Sequence, residues 1–552
     1  GPATGDRRPA THPAIADILA RRGVNTAEEY RRFVAPSVDD LHDPATIHGM
    51  PEACERIERA VRDKQTILIY GDYDVDGVTS IVLLQTVLRS LGADAQHVVP
   101  HRLVDGYGLK LEVLERVLLE RDVKLVITVD CGITSIEPVE RALERGIDVI
   151  ITDHHLPPGV LPDAAAVLNP KQPGCQYPFK ELAGVGVAFK LCCELIRRAG
   201  SKLSIESLLK IAAIGTVADV APLIGENRTI AWLGLNGLAD PRNRGLRALI
   251  RRLGMLGRPL RAVDVGFRIG PRINAAGRLS SADTAIDLFG ATDDDAAWQM
   301  CAELDRMNAE RQAVECRVRE EAEKQVVALR ESLPPVLVLA GTDWHRGVIG
   351  LVAGRLAQKY HRPTLVISIQ GEEAAGSARS IPTINLHEQL EAVADLFTHF
   401  GGHEFACGFA MPAANVPELR GRLLERFATL DPNRFHRVAN ADALLTLSEI
   451  DQEFIDSHEM LQPFGASNPQ PLFVTRGVKV LHRREFAPDC IEMTVSDGSA
   501  DATAMLWPSA TALNEVVGNG HAFDLLYQLE PAQAPRTGAR LTVVDARNSV
   551  VG

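Results

Sequence analysis

Three aspartates stand at alternate positions, Asp72, Asp74 and Asp76, where the apolar run Ile67 to Tyr70 ends and just before Gly77. Similar runs deliver further donors: Asp130 after Lys124 to Val129, Asp153-His154-His155 after Asp148 to Thr152, and Asp219 after Leu208 to Ile214. Carboxylates at the ends of parallel strands project into the crevice where open α/β sheets bind ligands. Aspartate also caps helices and forms turns, which explains one such ending but not four in one domain. Oxygen donors with one or two imidazoles suit Mn²⁺ or Mg²⁺ better than Zn²⁺. A carboxylate shared between two such ions is a device for hydrolysing phosphate esters.

Bringing those donors to one edge requires a parallel sheet. Apolar runs at Thr66–Tyr70, His97–Pro100, Lys124–Val129, Asp148–Thr152 and Ala165–Leu168, with helical patterns such as Gly77–Leu91 and Pro138–Glu144 between them, predict one covered on both faces. Residues 1–64 read as an N-terminal helical cap on that sheet, and 65–292 as the catalytic domain. The run 293–332 has no Gly or Pro and opens on Asp293–Asp295, which predicts one long, solvated connecting helix. Runs at Pro335–Ala340, Thr364–Ile369 and Glu373–Ala378 predict a smaller α/β domain over 333–430. Residues 431–470 read as a linker whose end, Gln462 to Pro471, is rich in turn formers. Short alternating runs after it predict a small β-barrel over 471–552.

At 552 residues the chain is too long for one core. A net charge of -13 excludes attraction to nucleic acid by the whole surface, though not by a local basic channel. Nine cysteines without a CxxC pair suit reduced thiols in a cytoplasm, not a disulfide frame or zinc knuckle. No apolar run approaches the roughly 18 residues of a membrane span. Gly1 to Gly5 reads as a cleavage scar plus native tail, not a signal peptide, and the stop at Val551-Gly552 reads as a truncation.

DYDVDG at 72–77, VDCG at 129–132, DHH at 153–155 and GTVADVAPL at 215–223 resemble the successive motifs of the DHH phosphoesterase superfamily. PRINAAGR at 271–278, WHRGVIGLVAGRL at 344–356, GSARS at 376–380 and GGHEFACGF at 401–409 are similar to those of its bacterial single-strand-specific exonucleases. The likeness runs from about residue 60 to 475. It implies an α/β catalytic domain joined by the long helix to a DHH-associated domain that closes over the active site, followed by an OB-fold-like barrel.

Carried over by residue, the resemblance gives two Mn²⁺ or Mg²⁺ ions. Asp74 and Asp130 hold one, and Asp76, Asp130, His154 and Asp219 the other, with Asp130 as the bridge. Relatives open the first motif with a histidine where this chain has Tyr70, which leaves the first ion short of a donor for Asp72 or water to replace. His155 contacts the scissile phosphate or, alternatively, orients His154; with Asp130 and Asp72 it makes the expected catalytic set. Arg278, Ser377 and Arg379 are expected phosphate clamps, since a guanidinium binds phosphate bidentately, and His345, Arg346 and His403 line the same cleft.

The expected function is 5′ to 3′ hydrolysis of single-stranded DNA in repair and recombination, by a cytoplasmic monomer. A passage too narrow for a duplex, its width fixed by the long helix, gives the selectivity. Expected partners are single-stranded DNA, single-strand-binding protein and a recombination helicase, with no membrane. The alternatives are a phosphodiesterase for short oligonucleotides or cyclic dinucleotides and a catalytically silent scaffold, which the full donor set disfavours. Gly184-Val185-Gly186 opens a helix like a dinucleotide loop, but without the third glycine or a preceding strand. The run Lys479 to Arg484 is either a solvated edge or a track for a single strand.

Overall fold

The computed structural model describes residues 11–549 except 103, 107, 280, 330–332, 488–489, 508–512, 514–515, 518–520 and 532–538. The readings of the first and last residues as scar and truncation lie outside the described residues.

Five strands, β1 (Thr66–Gly71), β2 (Ala95–Val98), β3 (Val123–Val129), β4 (Asp148–Thr152) and β5 (Ala166–Leu168), form a parallel sheet in the order β2-β1-β3-β4-β5. All pairings are parallel, so the C-terminal ends of β1, β3 and β4 lie side by side, with Gly71 opposite Val129 and Val129 opposite Thr152. Helix Val75–Ser90 leaves β1 buried on nearly every side, packed between the sheet and helices Gly184–Ala199 and Ile205–Ala218. Its apolar content therefore shows no single face, as expected of an interior helix.

A second sheet, β6 (Leu337–Thr342), β7 (Thr364–Gln370), β8 (Glu373–Arg379), β9 (His399–His403) and β10 (Ala406–Pro412), runs β6-β7-β8-β10-β9 and is parallel only at β6–β7. The third contains β11 (Ala443–Leu444), β12 (Phe473–Ala487), β13 (Cys490–Ser496), β14 (Asp501–Leu506), β15 (Phe523–Pro531) and β16 (Ala539–Asn548); pairing of β12 with β15 closes five of these strands into a barrel. The expected α/β, α/β, barrel architecture holds.

Packing departs from the sequence reading in three places. Helices Pro13–Arg21 and Ala27–Val34 do not cap the first sheet: Ile15, Ile18, Leu19 and Tyr30 share a core with Phe454, Phe473 and Tyr527 of the barrel region. Only the following stretch covers the sheet, where Ile47, Met50 and Ile57 pack with Ile67 and Ile69. An apolar helix face shows that something must cover it, not which element. Residues 431–470 are likewise no free linker, because Leu447, Phe454 and Leu461 are buried in the barrel core. Helix Asp294–Ala328, expected to be solvated, is instead a strut: Cys301 and Leu304 enter the first core, and Val318, Ala322 and Val326 pack with Trp344 and Val348.

Arg228 pins these parts together. Only 3% exposed, it stacks on Phe33 at 3.5 Å, and it donates to the carbonyls of Phe33 (2.8 Å), Gln462 (2.5 Å) and Leu461 (3.3 Å). Burial, with Arg22 nearby, pushes its pKa down to about 9. Arg228→Met would strand those carbonyls, and we expect a loss of about 2–4 kcal/mol in urea unfolding. An unchanged midpoint would refute the pin.

Candidate metal centre

Asp74 caps helix Val75–Ser90, its Oδ1 accepting from the amides of Asp76 (2.9 Å) and Gly77 (3.1 Å). Capping occupies one oxygen and leaves the other open, so a cap and a ligand are compatible in one residue. Gly77 is required by space, since a Cβ there would meet the Asp72 carbonyl at 2.3 Å. Asp76 turns inward, and its two oxygens accept from the amides of Gly184 (2.8 Å) and Val185 (2.7 Å). The Gly184-Val185-Gly186 sequence is thus a helix N-terminus that holds a carboxylate rather than a nucleotide. A Cβ on Gly184 would come within 2.6 Å of Asp130 Oδ1.

Asp130 follows β3 in the left-handed region, φ 59°, which favours Asn, Asp and Gly. Its amide donates to Thr152 O at 3.0 Å, which fixes the turn against β4. Val220, immediately after Asp219, also has positive φ, 60°, a costly state for a β-branched residue.

The donors fall into overlapping groups, in each of which one ligand atom per residue lies within 4.8 Å of the others: Asp72, Asp74 and Asp130; Asp76, His154 and Asp219; and Asp130, His154 and His155. His154 Nε2 is 3.1 Å from Asp130 and 3.9 Å from Asp76. Asp72 thereby joins the first group, the place that Tyr70 leaves open. Tyr70 is buried among Val113, Leu114 and Ile151, and its hydroxyl donates to Gly108 O and accepts from Lys110 N, both at 3.2 Å. It anchors the loop after β2 instead of supplying a donor.

The surroundings of the two histidines of the third motif shift their pKa values in opposite directions. Burial and then the neighbouring charge of His155 push the His154 pKa down to about 3, leaving a neutral imidazole with a free lone pair. For His155 burial opposes protonation, but its 2.7 Å hydrogen bond to Asp153 and that carboxylate's charge prevail and raise the pKa. Asp153 itself belongs to none of the three donor groups. It also accepts from the amides of Ile133 (2.9 Å), His154 (2.7 Å) and His155 (3.0 Å), so it orients the pair.

Does the site fit a divalent ion? Burial, then repulsion among neighbours, raises the pKa of Asp72, Asp76 and Asp130, and takes Asp219 to about 7. Oδ1 of buried Asp72 has no hydrogen-bond partner among the described residues. Clustered carboxylates that resist ionisation, beside a neutral imidazole, require a cation to be charged together. The residues fit Mn²⁺ or Mg²⁺.

A pH dependence follows. A carboxyl whose folded pKa is raised stabilises the metal-free fold below the unfolded value of about 4 and loses that contribution as pH rises through about 7, the value for Asp219. Bound Mn²⁺ reverses the loss by replacing the protons. The gain in melting temperature on adding Mn²⁺ to chelator-treated protein should therefore be small near pH 5 and grow toward pH 8. A gain independent of pH would contradict this.

The expected phosphate clamps lie across the cleft. Arg278 donates to Gly347 O at 3.0 Å, and Arg379 to Ser377 Oγ (3.1 Å) and Ala378 O (2.8 Å). His403 faces Ala406, which pairs with Arg379 on the other side, so it sits two strands away, about 10 Å, at the same sheet end. His345 caps helix Arg346–Tyr360, its Nδ1 accepting from Gly347 N at 3.1 Å. Arg346 is the exception: its guanidinium turns to Glu373 at 3.7 Å and lines a separate pocket with Gly371 and Met411.

Arg102 belongs to none of the sequence motifs. It stacks on Tyr73 at 4.9 Å, and its charge helps to lower the pKa of Arg278 and Arg379, already depressed by burial. The same charge also acts on Asp72, in the direction that favours its ionised form. Arg102 and Arg278 thus stand beside Asp72 and Asp74, and Arg379 lies within reach of the charge of Arg102. The signal available was its loop, which follows a strand at the ligand-bearing edge.

A parallel sheet with acidic and imidazole donors at its C-terminal edge, followed by a mixed-sheet domain, defines a DHH-type protein. The family models agree: "DHH family, N-terminal domain" matches residues 66–216, "DHHA1 domain" 333–429 and "RecJ OB domain" 441–533. The chain belongs to the RecJ family. It is 34% identical to the single-stranded-DNA-specific exonuclease RecJ of Dickeya dadantii over 92% of this chain and 93% of that protein. It is 42% identical to the Bacillus subtilis protein of the same name over 83% of this chain, but spans only 58% of that relative's length. The crystal structure of RecJ in complex with Mn²⁺ from Thermus thermophilus is similar with a TM-score of 0.83 and 30% identity, over 98% of this chain and 76% of that one.

Proposed function

We propose that this chain is a metal-dependent exonuclease that hydrolyses single-stranded DNA from its 5′ end. The observation that carries the reading is the juxtaposition of Arg102 and Arg278 with Asp72 and Asp74, with Arg379 within reach of the charge of Arg102. Cations too many for one bridging phosphate suit a terminal phosphate, which carries more charge. Family relatives named single-stranded-DNA-specific exonucleases, and a relative's structure with Mn²⁺, support the substrate and the metal.

Asp72, Asp74 and Asp130 would hold one ion and Asp76, His154 and Asp219 the second, with Asp130 shared. When bound, such ions supply Lewis-acid stabilisation of phosphate charge and acidify water. The chain's own groups do the rest. The arginines fix the terminal phosphate and so place the next phosphodiester over the carboxylate edge. His155, oriented by its hydrogen bond to Asp153, which favours its protonated form, donates to a non-bridging oxygen whose charge grows during attack. Water adds to phosphorus, the bond to the 3′ oxygen breaks, and that oxygen leaves with a proton. Single-strand-binding protein and a recombination helicase belong to this reading only through the family resemblance.

The test is a digest of 5′- and 3′-labelled single strands and duplexes with Mn²⁺, Mg²⁺ or chelator. Early release of label as mononucleotide from the 5′ end, confined to single strands and to metal, is expected. Release from the 3′ end, or cleavage in chelator, would refute the proposal.

A further inference from the structure

Helix Gly225–Gly237 opens on three consecutive buried polar residues, Glu226, Asn227 and Arg228, which belong to none of the donor groups. Glu226 pairs with Lys190 and accepts from His42 N at 2.9 Å, and Arg228 is the pin to the barrel region described above. Asn227, fully buried between them, reaches two loops instead. Its Nδ2 donates to Glu181 O at 2.5 Å and to Pro222 O at 3.1 Å. Both partners are carbonyls, so only the NH₂ end of the amide can meet them. Its Oδ1 has no hydrogen-bond partner among the described residues, so the polarity of this buried side chain serves those two donations.

Each of those carbonyls lies on a segment that sets metal donors. Just beyond Glu181 the amides of Gly184 and Val185 hold the two oxygens of Asp76, and the Leu182 backbone acts on the His154 ring. Just before Pro222 stands Asp219, and Val220 between them keeps a φ of 60° that a β-branched residue adopts only under constraint. Asp76, His154 and Asp219 form one donor group. Asp72, Asp74 and Asp130 instead follow β1 and β3, whose ends the pairing of the sheet itself fixes. We propose that Asn227 is a positioning residue for one ion of the two: it clips the Glu181 and Pro222 segments together so that Asp76, His154 and Asp219 converge. The inference rests on the metal centre of the function proposed above. Without the clip Val220 is free to relax to negative φ, which carries Asp219 away from its partners. Outer hydrogen bonds that orient ligands are typically worth about 10- to 100-fold in metal affinity.

Asn227→Leu removes both donations. Calorimetry on chelator-treated protein should show two Mn²⁺ sites in the wild type and, in Asn227→Leu, one site weakened about 10- to 100-fold with the other within about threefold. The half-saturating Mn²⁺ for nucleotide release should rise by the same factor, with kcat at saturating metal changed a few-fold at most. Asp74→Ala, which leaves the ion of Asp76, His154 and Asp219, assigns the weakened site: adding Asn227→Leu to it should weaken the ion that remains. Arg228→Met, the neighbouring pin, should cost stability and leave both affinities alone. Asn227→Ser keeps one donor, so it should show an intermediate selective loss, and it decides the matter if the leucine variant does not fold. Equal weakening of both ions, no weakening, or the same selective loss in Arg228→Met would overturn the clip while leaving the metal centre intact. A wild type that binds fewer than two ions would overturn the centre and the clip with it, and would show it before any variant is made.

Discussion

Asp130→Ala is expected to abolish nucleotide release, with kcat reduced roughly a thousandfold or more, equivalent to about 4 kcal/mol, while the chain stays folded. Asp130 stands in the donor group with Asp72 and Asp74 and in that with His154 and His155, so its loss damages both halves of the centre. Stability should survive for the same electrostatic reason. Buried beside Asp76, Asp74, Asp72 and Asp219, the carboxylate is destabilised when ionised, and its removal relieves repulsion in metal-free protein. The left-handed backbone at 130 works against alanine by about 1 kcal/mol. Asp130→Asn, which tolerates that conformation and keeps the volume, separates backbone strain from lost charge. Nucleotide release by folded Asp130→Ala at the wild-type rate in Mn²⁺ would remove the residue from the centre.

Arg379→Ala should act on engagement rather than chemistry. Arg379 is steadied by Ser377 Oγ and Ala378 O through Nη1, which leaves its other donors to a phosphate, and the charge of Arg102 reaches it. Charge-assisted hydrogen bonds of about 1.5–3 kcal/mol correspond to a drop of roughly 10- to 100-fold in kcat/KM. At saturating DNA kcat should change by a few-fold at most. Removing the 5′ phosphate from the substrate should penalise the wild type similarly and the variant little, which identifies the contact. An equal loss in kcat at saturation would place Arg379 in the chemistry instead.

Much of this was legible in the sequence because parallel strands are continuous apolar runs and their ends are visible. β1, β3 and β4 could be placed to within a residue, and with them Asp72 to Asp76, Asp130 and His154. What escaped was long-range pairing. Nothing in Pro13 to Val34 says that its apolar face meets Phe454 and Phe473 some 400 residues on. Arg102 is one arginine in a short loop, and only its distance from Arg278 and Arg379 gives it meaning. Gly184 looked like a failed nucleotide motif because the sequence hides what its amide faces. The strut helix read as solvated because Arg311 and Glu315 are charged, yet each is buried against the other. Arg346 shows the converse: a residue inside a matching motif whose side chain leaves for Glu373.

In the proposed centre one carboxylate, Asp130, is shared by two divalent ions. Mn²⁺ titration followed by calorimetry and electron paramagnetic resonance tests it without reference to activity. Wild-type protein should bind two Mn²⁺ per chain with the spectrum of a magnetically coupled pair, and Asp130→Asn should lose the coupling together with at least one ion. Two uncoupled ions in the wild type, or a coupled pair undiminished in Asp130→Asn, would contradict it.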